Sequence, residues 1–525
     1  MNGRTWTAKS LPLGLLLLAL GVPCATAGNI GEIGDAPQAG ATAGYSQATT
    51  AAEKPPPAAS PEAKIVGDPN HPDAPAAGSF APDPVYPDPY DAEEQLKIYS
   101  AKHMNRTANP PVMLGLRLYD RGAFAPPPTL LGDKNPVFFH FMAYGDVRVG
   151  AADNDAGIAA ANGKTNQSLL ATRLNLDLDL TFTATERIHA FMDPFGNNPN
   201  FTRYDISGKV SDKFVQEFNS KLDTLFFEGD LGNMLSGLTD KPSTFDLPIS
   251  FGLVPILTQN GIWIQDEFRG LAAGITAKHS GVLDISNFDL TFFSAFNGVT
   301  TAAVPGRSDT KLFALAGFFD TLRGYVEAGY GYVDAADSEL SYNNLTVAYT
   351  RRYWNLVSNS IRLIGNFGQT APVKTANGLL VLAENSLLTS KPSTLVPYLN
   401  LFGGFGTPQS LARDIDAGGV LRNTGINFQG DGLTGYPTLD ALAHDTYGGA
   451  LGVEYLFNLD RQLVVEGTVV ERMGGSVLPG SEYSLGALFQ QPLSNADILI
   501  FQGMRGWLEG QRDIFGVRVE LRHKF

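Results

Sequence analysis

The sequence predicts an all-β chain in which about 16 strands, within a range of 14 to 18, close into a transmembrane antiparallel barrel. Three observations predict it. Apolar and polar residues alternate with a two-residue period in many separate segments. No apolar run after Val22 is long enough for a membrane helix, since Leu312 to Phe319 and Leu379 to Ala383 fall far short of the roughly 20 residues required. The chain also ends on an alternating, aromatic-terminated segment, FGVRVELRHKF.

The first segment reads as a secretory signal peptide, residues 1–27. Arg4 and Lys9 precede the apolar run Leu11 to Val22, and Ala25-Thr26-Ala27 follows as a small-x-small cleavage site. The run is too short to anchor the chain as a membrane helix. Pro23 before Cys24 lacks the small-residue context of a lipidation signal. Cys24 is the single cysteine and leaves with the signal, so no disulfide, thiolate zinc site or iron-sulfur cluster is expected.

Residues 28–98 are rich in Ala, Pro, Gly and Asp, with Lys54-Pro-Pro-Pro57 and Pro82-Asp-Pro-Val-Tyr-Pro-Asp-Pro-Tyr90. Such a composition buries too little apolar surface to offset ordering, and a disordered tail is expected. Residues 99–136 form a transition segment. Within it Leu114, Leu116 and Leu118 share one phase, which suits a short lumenal or periplasmic element or a first strand.

Residues 137–525 carry the barrel pattern. In Arg173 to Phe182, Leu174, Leu176, Leu178, Leu180 and Phe182 occupy one face, and Asn175, Asp177, Asp179 and Thr181 the other. Burying two unpaired carboxylates in an apolar core costs several kcal/mol each. They are therefore expected to face water, as the inner phase of a barrel strand does. Further alternating segments recur from Val137 to Phe525. Short turns such as Asp320-Thr321 and Ser358-Asn-Ser360 contrast with long Gly-rich connections at 153–167, 196–213 and 403–446, as expected when the two barrel ends differ. The 403–446 connection suits either an external lid or an inward constriction. Trp263, Tyr353, Trp354 and Trp507 fall near predicted strand ends, where interfacial aromatics belong.

The terminal segment places Phe515, Val517, Val519, Leu521 and Phe525 in one phase and Arg518, Glu520, Arg522 and Lys524 in the other; His523 interrupts the apolar row. Together with the signal and the alternating strands, it resembles bacterial outer-membrane β-barrel proteins of the porin type. The resemblance implies that Phe525, Leu521, Val519 and Val517 act as the signal read by the barrel insertion machinery. It also implies the outer membrane of a Gram-negative-type bacterium, with outer-membrane lipid as a partner. Arg173 to Phe182 and Phe251 to Arg269 are faintly similar to substrate-specific porins, including alginate-export-type barrels, with no ligand-binding residue carried over.

A pore is the leading functional expectation, giving passive diffusion of small hydrophilic solutes. Its lining candidates are His140, Asp146, Arg148, Asp177, Asp179, Glu327, Arg351 and Arg362, with Tyr353 beside them; opposed charges there would set ion preference. The formal charge is −15, and loss of Arg4 and Lys9 leaves 36 basic against 53 acidic residues, or −17. That balance argues against nucleic acid as a partner. A non-conducting structural or adhesion barrel is the alternative. A rim-located hydrolase is a weaker one: His279 and Ser280 are adjacent on a strand pattern and point to opposite faces, and neither a Gly-x-Ser-x-Gly elbow nor a His-Glu-x-x-His site is present. No cofactor or metal is expected, and Asp153 to Asp155 and Asp414 to Asp416 read as turn residues without full calcium-loop spacing. A homotrimer is compatible with the apolar outer wall.

Overall fold

The computed structural model describes residues 110–115, 137, 139–160, 162–183, 185–197, 200–210, 213–304, 309–413, 417–425, 432–457 and 461–525. The expected signal peptide, the 28–98 segment and most of 99–136 lie outside them.

The first strands are β1 (Val112–Gly115), β2 (His140–Asp155), β3 (Asn166–Thr181) and β4 (Arg187–Met192). A small ribbon follows, β5 (Gly196–Asn197), β6 (Asn200–Asp205) and β7 (Phe214–Val215). Next come β8 (Thr224–Asp230), helix α1 (Leu231–Thr239), β9 (Pro248–Thr258), β10 (Ile264–Ser280), β11 (Ile285–Asn297), β12 (Lys311–Thr321) and β13 (Gly324–Asp334). Then β14 (Tyr342–Tyr353), β15 (Val357–Phe367), β16 (Asn377–Leu387), β17 (Leu395–Thr407) and the short β18 (Ala412–Arg413) lead to β19 (Thr446–Leu456), β20 (Gln462–Arg472), β21 (Glu482–Pro492), β22 (Asp497–Leu508) and β23 (Ile514–Lys524).

Successive wall strands pair antiparallel. β23 returns to β2 from Asp146↔Lys524 to Asp155↔Phe515, closing an 18-strand barrel. Closure leaves the wall without a free edge, the condition a sheet must meet in lipid. The count stands at the top of the expected range. The strand that periodicity misses is β16, where Leu379, Leu380, Val381 and Leu382 run together. Leu380 and Leu382 point inward yet are fully buried, in one apolar cluster with Val420 and Leu421. An insertion covers the lumen face there, so polar residues are not needed on it.

Elsewhere the two faces separate as read. On β3, Asp177 and Asp179 are buried on the inner face, whereas Leu174, Leu176, Leu178 and Leu180 take the outer phase. On β23, Val517, Val519 and Leu521 are exposed outward and Arg518, Glu520 and Arg522 are buried inward. At the seam, Gly145 and Phe525 exchange two main-chain hydrogen bonds of 2.9 and 3.0 Å. Below that point β1 takes over from β23, pairing Val112 to Gly115 with Ala143 to His140. The alternating transition segment thus contributes a part-strand to the wall at the terminal end of the seam.

Apart from the 231–247 excursion between β8 and β9, the end of the barrel carrying Phe525 has short connections between its described strands. Leu322 and Arg323, which link β12 to β13, both adopt positive φ, the geometry that lets a two-residue hairpin follow the strand twist. The opposite end carries the 193–223 and 408–445 connections.

Candidate pore site

Two insertions from that opposite end enter the lumen. The first is the tip of the β9–β10 hairpin. Strand alternation predicts exposure of every second residue, yet Val254, Pro255 and Ile256 and the run Gly261 to Asp266 are all buried, so the tip has left the wall and is covered on both faces. Gln259, Asn260 and Gly261 turn the chain with positive φ. Trp263 then reaches the wall, where its indole N–H donates to Asn344 Oδ1 on β14 at 2.7 Å, and Gln259 Oε1 accepts from Thr346 Oγ1 at 2.8 Å and from Arg362.

The second insertion comes from the 408–445 connection, whose described residues 408–413, 417–425 and 432–445 fold inward; for them the alternative of an external lid does not hold. Its β18 pairs in parallel with Ile264 and Gln265 of the hairpin tip. Leu411 N–H donates to Trp263 O at 2.9 Å, Ser410 Oγ to Ile262 O at 2.6 Å, and Arg413 to Gly261 O. Farther along, Asn400 on β17 donates to Thr424 O at 3.0 Å, and Asn154 on β2 donates to Thr434 O at 2.7 Å. The insertion therefore touches walls on several sides of the barrel. Apolar contacts fill its interior, with Leu421, Leu439 and Ala443 clustered against Ile262 and Ile364. At its base Gln409 Nε2 lies 3.0 Å from His444 Nε2. Burial lowers the His444 imidazole below its ordinary value, against the raising effect of Asp440 and Asp445. Burial raises the Asp440 carboxyl, offset by the Leu442 and Ala443 backbone amides and by His444.

The inner wall beside the seam is densely charged. Arg148 forms a two-point ion pair with Glu520, both bonds 2.9 Å, with 1% and 0% of the side chains exposed. Glu520 also takes Arg518 and, at 3.2 Å, Arg522, which lies 3.5 Å from Asp146. Arg173 lies 3.3 Å from Asp193. Nearer the terminal end, His189 stands between two carboxylates, Nδ1 at 3.0 Å from Asp179 and Nε2 at 3.3 Å from Asp177. The Tyr144 hydroxyl donates to Asp179 at 2.9 Å, and Arg187 pairs with Glu228. Across the lumen, Arg362 pairs with Glu327 at 3.0 Å, and Tyr398 donates to Glu466 at 2.6 Å.

Of the expected lining residues, His140, Asp146, Arg148, Asp177, Asp179, Glu327 and Arg362 occupy the inner face. Arg351 does not. Thr350 points inward and bonds Ser360, so its neighbour Arg351 faces outward, with its guanidinium 5.2 Å from the Tyr353 ring on that same outer face. An aromatic beside a cation suits the outer wall near a membrane interface as well as a polar lumen, and polarity alone misplaced both. Sequence reasoning passed over Arg173, Arg187, His189, Glu228, Glu384, Glu466 and the charged phase of β23. For β23 the signal was present in the alternation itself. For Glu228 and Glu384 the local pattern is too short or too apolar. Among the described residues, no group of three or more His, Cys, Asp or Glu side chains is arranged to hold a metal ion. Asp153 instead accepts from Ser168 and Asn166, and Asp155 from Gly157 and Thr165. Asp414 to Asp416 lie outside the described residues.

No protein-family model and no curated protein matches the chain. Among solved structures, it is similar to Pseudomonas aeruginosa OccK5 (OpdH), with a TM-score of 0.47 and 11% identity over 73% of this chain and 98% of that one. Acinetobacter baumannii OccAB4 gives 0.47 and 9% over the same shares. The outer membrane protein opdK of Pseudomonas aeruginosa gives 0.45 and 11%, again over 73% and 98%.

Proposed function

We propose that the chain is an outer-membrane porin through which small hydrophilic solutes diffuse passively. The observation that carries this reading is the division of the closed wall into an apolar outer face and a charged inner face. Side chains such as Val517, Leu451 and Leu485 are exposed outward, while ion pairs line the interior. In lipid, such a wall requires a hydrated or internally paired lumen, which is the porin arrangement. The charged groups on opposite sides of the lumen supply a field that orients and selects permeating ions and solutes. In this reading the outer wall meets outer-membrane lipid, and Val517, Val519, Leu521 and Phe525 are the residues read by the insertion machinery. Three copies can associate through the apolar wall. No catalytic residue is assigned.

The interlocked insertions favour a second reading, a barrel held closed. Single-channel conductance of the refolded protein in planar bilayers separates the two. Stable steps, reduced by sugars or acidic oligosaccharides added as blockers, are expected of the pore. Stable insertion without conductance overturns it in favour of a non-conducting barrel.

A further inference from the structure

We infer that helix α1 and its return segment, residues 231–247, form a lipid anchor that lies in the membrane interface at the terminal end of the barrel. The inference rests on the reading of the barrel as membrane-embedded. Helix α1 reverses the usual arrangement of a surface helix. Its packed residues are Gly232, Ser236 and Gly237, whereas Leu235 and Leu238 are 47% and 67% exposed. Phe245, on the return segment, is 43% exposed. Neither the first nor the last turn carries a charge suited to the helix ends.

This excursion is a built unit. Asp230 clamps its neck, one oxygen accepting from Asn233 N–H at 2.7 Å as the helix cap and the other from Leu247 N–H at 2.8 Å. Gly232 lies against Phe245 O and Ser243 Oγ with no room for a Cβ. The leucines are thus held outward on an ordered support. In water that apolar surface would stay unburied.

Continuity with the outer wall identifies the occupant. The strands that α1 joins present Leu225 and Phe251 outward, and Phe227 packs on Phe251 with ring centroids 5.1 Å apart. The apolar surface of the wall therefore leads into the excursion. Other connections at this end also expose apolar tips: Val282 and Leu283, Leu322, Trp354, and Leu493. An interfacial helix buries its apolar side about 5–10 Å into the boundary between headgroups and acyl chains. The partner is accordingly the acyl-chain boundary of the leaflet at the terminal end.

The test uses the full chain in phosphatidylcholine vesicles with and without brominated acyl chains. Leu238→Trp is placed in a W6F/W354F/W507F background, leaving Trp263 shielded in the lumen. Expected is a blue-shifted emission from the indole introduced by Leu238→Trp, which loses more than half its intensity in brominated vesicles. Leu401→Trp, outward in the middle of β17, is the control. If the control is quenched and the helix reporter is not, the anchor is overturned while the membrane reading stands. If neither is quenched, the membrane reading itself fails. A Leu238→Cys variant that forms covalent dimers in vesicles, in a C24S background, also overturns the inference, assigning the surface to a second copy. Shifted electrophoretic mobility of the unheated variants checks that each barrel has folded.

Discussion

The indole of Trp263 occupies the space that a Cβ on Gly329 would need, and Leu411 does the same at Gly331 two residues along the same strand. The hairpin tip and the 408–445 insertion are therefore seated against a wall whose inner face is bare backbone at the points of contact. Trp263→Ala removes a fully buried ring and is expected to destabilise the tip by about 3–5 kcal/mol. Gly329→Val is expected to expel the ring from the other side, at about 1–3 kcal/mol. Both variants should raise single-channel conductance and current noise. Equal conductance in wild type and Trp263→Ala would show that the tip does not limit the lumen.

Glu520 holds three arginines at the seam. Glu520→Gln leaves Arg148, Arg518 and Arg522 crowded without their shared carboxylate, and breaking such a buried pair costs about 3–5 kcal/mol. The expected outcomes are a lower temperature for conversion to the heat-denatured form on gels and a reversal potential shifted toward anions. A shift toward cations would contradict the inward placement of the cluster.

Facing separates Arg351 from Arg362. Arg362→Ala leaves Glu327 and Glu384 on the inner wall and should move selectivity toward cations, whereas Arg351→Ala should leave the reversal potential unchanged. Reversal potentials across a salt gradient measure both. An effect of Arg351→Ala equal to that of Arg362→Ala would sink the assigned register of β14.

The base of the long insertion should loosen in acid. The folded state lowers the His444 value, so the unfolded insertion binds more protons just below the ordinary value of 6.5, and stability falls as the pH drops through that window. Asp440 acts in the opposite direction: its value is raised, so its own contribution grows in stronger acid, as its carboxylate takes up a proton above the ordinary 3.8. Current noise and protease access to 417–425 should therefore increase on acidification from neutral pH. His444→Gln should remove that step; persistence of the same pH profile in the variant would exclude His444 as its source.

The alternating leucines and carboxylates of β3, and the two phases of β23, were legible from the chain because period-two patterning assigns opposite faces wherever one side meets lipid and the other meets polar groups. The same logic found most wall strands and the inward placement of Asp177, Asp179 and Glu327. It failed at β16 because Leu380 and Leu382 are buried by a segment distant in the chain, and at Arg351 because charge was followed instead of phase: Arg351 shares the outward phase of Leu345 and Val347. Whether 403–446 covered the barrel or entered it was likewise open in the sequence, since Gly- and Asp-rich loops suit both. Tertiary structure decided those points. The contacts that seat Trp263 on Gly329 and Leu411 on Gly331, and that join His189 to Asp177 and Asp179, connect residues whose proximity follows from barrel closure and strand register, while the alternation that marks a strand is local to it.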